Sequence, residues 1–195
     1  MPVTINHALK AASAISAAQK MKLMIFDVDG VLSDGSLVYT DDGQETKGFY
    51  APDGIGLHLL QKAGIELAII TGRTTPCVER RAKDLRITHL YQGIANKVEA
   101  AEELLKKLGL SFQEVGYMGD DIIDIRMLER AAFAAAPADC QDKVRAYAHV
   151  FSTRKGGRGA AREICEFILQ ARGQQDELEA SYQHSWRTEA SAEKP

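Results

Sequence analysis

The chain has 195 residues, of which 45% are hydrophobic and 26% charged, and its net charge is −3. That length suits one well-buried domain with tails rather than two domains. The balance is that of an ordinary folded protein, and the mildly acidic charge argues against nucleic-acid binding as the main task. No run approaches the ~18 consecutive apolar residues that a membrane-spanning helix needs. Three widely spaced cysteines, Cys77, Cys140 and Cys165, form no zinc pattern and are expected as reduced thiols.

In chain order, residues 1–20 are Ala-rich but interrupted by Asn6, His7, Lys10, Ser13, Ser16 and Gln19. That composition is no secretory leader, so a cytoplasmic protein is expected, opening with one amphipathic helix. From Met21 to about Gln170, short apolar runs alternate with amphipathic stretches. Strands are predicted at Leu23–Phe26, Glu66–Ile70, His89–Tyr91, Val115–Met118, Ala132–Ala135 and His149–Phe151. Helices are predicted at Gly54–Ala63, Pro76–Leu85, Lys97–Leu108, Ile122–Ala131, Lys143–Ala146 and Gly159–Gln170. This alternation points to βαβ units and a mainly parallel sheet in an α/β fold. Ser36–Tyr50 breaks the rhythm, with two alternating arms around Asp42-Gly43, a hairpin signal. The polar stretch 173–195, with a lone Trp186, reads as a helix end running into a flexible tail. The expected organisation is an extension over 1–20, one α/β domain over 21–172 that carries the hairpin, and a tail over 173–195.

Chemistry concentrates in the turns behind the strands. Asp27-Val28-Asp29-Gly30-Val31 follows the first buried run. Two carboxylates at a strand tip repel one another, and a divalent cation between them, Mg²⁺ above all, makes the arrangement tolerable. The same residues also suit an N-cap or an Asx-turn. Gly119-Asp120-Asp121-Ile122-Ile123-Asp124 repeats the theme behind another strand. If the two strands are neighbours, Asp27, Asp29 and Asp120 converge, while Asp121 and Asp124 can instead cap the next helix. Thr71-Gly72-Arg73 offers a hydroxyl, a glycine amide and a helix start, a phosphate-binding corner. Lys97 opens a helix, where the dipole disfavours a cation, so it is expected to answer a nearby negative charge.

The set DxDGV, TGR, Lys and GDDxxD, each at a strand end, resembles the haloacid dehalogenase-type phosphatase superfamily over about Met21 to Phe151. The resemblance implies a Rossmann-like three-layer sandwich in which Asp27 attacks phosphorus and Asp29 serves as general acid and base. It also implies that Thr71 and Lys97 hold the phosphoryl group, and that Asp27, Asp29 and Asp120 bind Mg²⁺. Members often carry a cap domain, but the gaps Asp29 to Thr71 and Arg73 to Lys97 leave no room for one. A projecting hairpin that packs against other copies is the expected substitute.

The hairpin, Tyr50-Ala-Pro-Asp-Gly54-Ile-Gly56 and Gly156-Gly157-Arg158-Gly159-Ala160-Ala161-Arg162-Glu163 together resemble the cap-less 3-deoxy-D-manno-octulosonate 8-phosphate phosphatase family. That resemblance implies a homotetramer acting on a phosphorylated sugar acid, a step toward lipopolysaccharide, with no nucleic acid or membrane partner. Gly72 and Arg73 are the candidates for gripping substrate, because a guanidinium binds carboxylate bidentately. Arg158 suits that task, a helix end or a neighbouring subunit. Rival readings are a nonulosonate 9-phosphate phosphatase, a response-regulator-like phospho-acceptor, and an idle regulatory partner. The acceptor module wants adjacent acids after the first strand, whereas Val28 separates Asp27 from Asp29.

Overall fold

The run Leu23–Phe26 forms strand β2, and all four of its side chains are buried. Leu23 and Ile25 enter one apolar cluster, Met24 and Phe26 the other, so the strand is covered on both faces. That is the environment of a central parallel strand, which is why the run is continuously apolar rather than alternating. The computed structural model describes residues 3–5 and 11–182.

In chain order the remaining elements begin with β1 (Thr4–Ile5) and α1 (Ala11–Lys20). After β2 come β3 (Val38–Tyr39), β4 (Glu45–Thr46), α2 (Ala51–Lys62), β5 (Glu66–Ile70), α3 (Pro76–Asp84) and β6 (His89–Tyr91). Then follow α4 (Lys97–Leu108), β7 (Val115–Met118), α5 (Ile125–Arg130), β8 (Phe133–Ala136), β9 (Val150–Phe151) and α6 (Ala160–Ala171). The main sheet has the order β1-β9-β8-β7-β2-β5-β6. Its pairs are parallel except the edge pair β1–β9. Helices α1, α2, α3 and α6 bury side chains in the cluster on one face, α4 and α5 in the cluster on the other. The result is the expected three-layer α/β sandwich without a cap. Between Asp29 and Thr71 there is only the β3–β4 hairpin and α2, and between Arg73 and Lys97 only α3 and β6.

Several predicted details differ. The first twenty residues hold a strand, Thr4–Ile5, as well as a helix, and this strand completes the sheet edge against Val150 and Phe151. A two-residue strand carries too little alternation to be seen in sequence. The helix predicted at Ile122 begins as a 3-10 turn over Ile122–Asp124 and becomes α-helical only at Ile125. The segment Lys143–Ala146 is likewise 3-10, over Asp142–Ala146. The tail does not turn irregular at Gly173: residues 175–182 are helical. Its Tyr182 ring meets His58 edge-on at 6.0 Å, and the Lys62 ammonium lies 5.1 Å above it. Trp186 lies outside the described residues. The three cysteines are free, with Cys140 and Cys165 buried.

Candidate active site

Strand order fixes where the turns meet. From β2 the chain moves outward through β5 to β6, then returns to the other side of β2 and continues through β7, β8 and β9. The crevice outside the carboxyl ends of β5, β2 and β7 is therefore the switch point where open α/β sheets bind ligands. Register brings the turns level: Phe26 pairs with Ile69 on one side and Met118 on the other. Asp27, Thr71 and Asp120 consequently line one cleft of about 250 Å³ with Asp29, Gly30, Gly72 and Arg73.

Beneath this cleft is a buried ionic network. Lys97 is 4% exposed, and its Nζ lies 2.9 Å from Asp27 Oδ2 and 2.7 Å from Asp124 Oδ1. The cation at a helix start thus answers two carboxylates, as its position demanded. Tyr117, fully buried on β7, donates its hydroxyl to the same Asp124 oxygen at 2.5 Å. Asp124 Oδ2 accepts from the amides of Asp120 and Asp121 at 3.0 and 3.1 Å. These four contacts curl the turn back on itself, which explains the tight 3-10 start before α5. Asp121 caps that turn, its carboxylate accepting from the Ile122 amide.

The electrostatics follow from burial. Loss of water pushes the Asp27 carboxyl up to about 6, with Asp124 adding to the rise and Lys97 opposing it. Burial, then the charges of Asp124, Asp27 and Asp121, lifts Asp120 to about 8. For Lys97, burial pulls down but Asp27 and Asp124 outweigh it and hold the ammonium above its ordinary range. The oxygens Asp27 Oδ1 and Asp120 Oδ1 are buried without a hydrogen-bond partner among the described residues. Asp27, Asp120 and Asp124 form a carboxylate trio in which one oxygen of each lies within 4.8 Å of the others. Two orphaned, mutually repelling oxygens at a cleft floor are what a hard divalent cation needs. Asp124 is already saturated, which leaves Asp27 and Asp120 as the side chains facing such an ion.

The expected set converges with one difference. Asp29 stands apart from the trio: its Oδ1 accepts from Ser33 Oγ at 3.2 Å and from Lys47 Nζ at 2.5 Å. Its Oδ1 is thereby tied to the hairpin while the residue still lines the cleft with Asp27 and Asp120. Gly30, at φ +78°, makes the turn that permits this, and a Cβ there would collide with the Asp120 carboxylate. Thr71 is 2% exposed, and its amide donates to the Tyr91 carbonyl at 2.9 Å. Arg73 is accessible, with its guanidinium on both Glu45 oxygens at 3.2 and 2.5 Å and on Tyr39 Oη at 3.2 Å. Arg158 pairs with Asp34 at 3.0 Å, outside the cleft residues. Sequence reasoning undervalued Asp124 and missed Tyr117, Lys47 and Glu45. Only for Lys47 and Glu45 was there a signal, their place on hairpin arms next to DxDG.

Comparison with known proteins agrees with this geometry. A family model for haloacid dehalogenase-like hydrolases matches residues 86–164. The 3-deoxy-D-manno-octulosonate 8-phosphate phosphatase KdsC of Escherichia coli (strain K12) is 43% identical over 167 residues, 86% of this chain and 89% of that protein. The Yersinia pestis protein of the same name is 43% identical over 171 residues, 88% of this chain and 90% of that protein. The crystal structure of the Moraxella catarrhalis phosphatase holds a magnesium ion, a phosphate ion and a KDO molecule. It superposes with a TM-score of 0.86 at 42% identity, covering 89% of this chain and 99% of that one. Identity at this level over nearly the whole of both partners extends far beyond the four turns. The chain belongs to the 3-deoxy-D-manno-octulosonate 8-phosphate phosphatase family of haloacid dehalogenase-like hydrolases.

Proposed function

We propose that this chain hydrolyses the 8-phosphate ester of 3-deoxy-D-manno-octulosonate, a step in making the sugar acid of lipopolysaccharide, with Mg²⁺ as cofactor. The observation that carries this reading is the pair of orphaned oxygens on Asp27 and Asp120 beside buried Lys97, at the switch point of the sheet. Asp27 bonds to phosphorus through a carboxylate oxygen as the ester P–O bond breaks, and Asp29 gives its proton to the departing oxygen. Asp29, now a carboxylate, then takes a proton from water while the water oxygen displaces Asp27 from phosphorus. Inorganic phosphate leaves and both carboxyl groups return to their starting states. Lys97 and Thr71 hold the phosphoryl oxygens, and Lys97 also offsets the charge of Asp27 so that an anion can approach. A magnesium ion held by Asp27 and Asp120 supplies charge neutralisation on the phosphoryl group. Gly72 brings backbone close to the substrate, and Arg73 meets its carboxylate once Glu45 is displaced.

The same reading includes a homotetramer. Leu37, Val38 and Tyr39 on the hairpin are 49%, 52% and 57% exposed, an apolar strip that a neighbouring copy would cover while closing the open cleft. In this reading the reaction takes place in the cytoplasm. No helix among the described residues is long and apolar enough to cross a membrane.

Phosphate release should be measured with Mg²⁺ from eight- and nine-carbon sugar-acid phosphates and from hexose phosphates. Preference for the eight-carbon acid supports the assignment, and equal turnover of nine-carbon acids would move the substrate while keeping the chemistry. Chelation by EDTA should silence turnover and Mg²⁺ restore it; activity that survives chelation would overturn the cofactor. Deleting residues 37–49 should yield smaller oligomers with poorer selectivity, and a tetramer that persisted would overturn the assembly.

A further inference from the structure

The floor of the cleft is complete without the hairpin, yet the hairpin reaches down to it. Lys47 follows directly after β4, and its side chain is 1% exposed although its neighbours Thr46 and Gly48 are exposed. A lysine at the base of such an arm ordinarily extends its ammonium into water. Here Nζ lies 2.5 Å from Asp29 Oδ1 and 2.8 Å from Glu45 Oε1. Burying an ammonium is costly unless it is paired and hydrogen-bonded on several sides, and these two carboxylates meet that demand.

The orientation this imposes on Asp29 is specific. Lys47 and Ser33 both bond to Oδ1, which leaves Oδ2 as the oxygen to carry a transferable proton. Without Lys47, the Asp29 carboxyl keeps one 3.2 Å contact to a hydroxyl and gains freedom to rotate toward water. Glu45 braces Lys47 from the other side and is itself held by Arg73. The hairpin thus ties the proton-transfer carboxyl to the substrate-facing guanidinium through an alternating series of charges.

We propose that Lys47 is a positioning residue for the phosphatase reaction, which holds Asp29 with Oδ2 aimed at the departing oxygen. This rests on the phosphatase reading given above. The step it serves is delivery of the Asp29 proton to the ester oxygen as the P–O bond breaks, with the electron pair of that bond passing to oxygen. An alkoxide is a poor leaving group and needs the proton; p-nitrophenolate is stable and scarcely does.

The test compares kcat/KM of the full-length protein and its Lys47→Met and Lys47→Arg variants on two esters, a sugar-acid phosphate and p-nitrophenyl phosphate. Lys47→Met is expected to lose about thirtyfold or more on the sugar ester but only about fivefold on p-nitrophenyl phosphate, with the larger loss in kcat rather than KM. Lys47→Arg, which keeps a cation, should regain most of the sugar-ester activity. Equal losses on both esters, a loss confined to KM, or no loss would each overturn the proposal. If Lys47→Met does not fold, Glu45→Gln, which unbraces the ammonium, should show the same leaving-group dependence at smaller size, and equal losses there would overturn it too. If the parent protein hydrolyses p-nitrophenyl phosphate but no sugar-acid phosphate, the substrate assignment falls separately. Glycerol phosphate then serves as the alkoxide ester, with the same outcomes deciding on Lys47.

Discussion

Two lysine-centred networks meet at the cleft, built from the same charges in different surroundings. In the floor, Asp27, Lys97 and Asp124 alternate in sign, and each is at most 4% exposed. In the arm, Asp29, Lys47, Glu45 and Arg73 also alternate, but the Arg73 side chain is 42% exposed at the outer end. A buried series cannot lose a member without stranding a charge in a medium that solvates it poorly. At the accessible end of the arm, water replaces a lost partner at small cost. The floor is therefore suited to holding a fixed electrostatic field, and the outer arm to exchanging an internal carboxylate for one brought by a ligand.

Four substitutions can break or sharpen that contrast. Asp27→Asn removes the proposed nucleophile with little change in volume, and turnover should fall by at least ~1000-fold while circular dichroism stays that of the parent. Residual activity within about tenfold of the parent would place the nucleophile elsewhere. Asp124→Asn leaves Lys97 with one carboxylate; turnover should drop roughly 100-fold and denaturant unfolding should show a loss of about 2–4 kcal/mol. A stability loss below about 0.5 kcal/mol would make the floor behave like a surface ion pair.

Asp120→Asn tests the cost of the floor without its cation. The Asp120 carboxyl is raised to about 8 when folded against a reference of 3.8. The folded state is thus most favoured where the group is protonated in both states, below about pH 4, and this advantage is lost as pH rises to about 8. In chelator at pH 8 the variant should be more stable than the parent by about 1–2 kcal/mol, with the difference shrinking toward pH 4. Thermal melts across that range check it, and a variant less stable at pH 8 would reverse the sign. The smallest stability effect belongs to the arm. Arg73→Gln should leave Tm within about 2 °C of the parent yet raise KM for the sugar acid roughly tenfold, with kcat nearly unchanged. A large drop in thermal stability would show that the fold depends on the arm as heavily as on the floor.

The turns of the floor were readable because each follows a continuous apolar run, and buried parallel strands advertise themselves that way. Lys97 was readable through a conflict, a cation where a helix prefers an anion. Choosing between Asp121 and Asp124 was not possible from spacing, since both suit a first turn. The difference lies in the backbone: Gly119 lets Asp124 fold against it, where a Cβ would strike the Asp124 side chain. The arm was legible only as a hairpin. Alternation around Asp42-Gly43 told of two strands but nothing of the angle at which they return, and that angle brings Lys47 to Asp29. The strand at Thr4–Ile5 was hidden by its brevity, and the helix over 175–182 by a polar composition that its contact with α2 tolerates.

The pairing of Phe26 with Met118 joins residues about ninety positions apart, on strands that are immediate neighbours in the sheet. The Asp27 turn is made early in synthesis, but the lysine and the second acidic turn that face it follow much later. Until β7 docks beside β2, Asp27 lacks the neighbours that set its charge and hold a cation. A nascent or truncated chain ending before Val115 will therefore carry an inert aspartate, and phosphatase activity will appear only when the sheet closes around its central strand. Activity is thus a late reporter of folding, which makes recovery of turnover after dilution from denaturant a direct clock for the docking of the two halves.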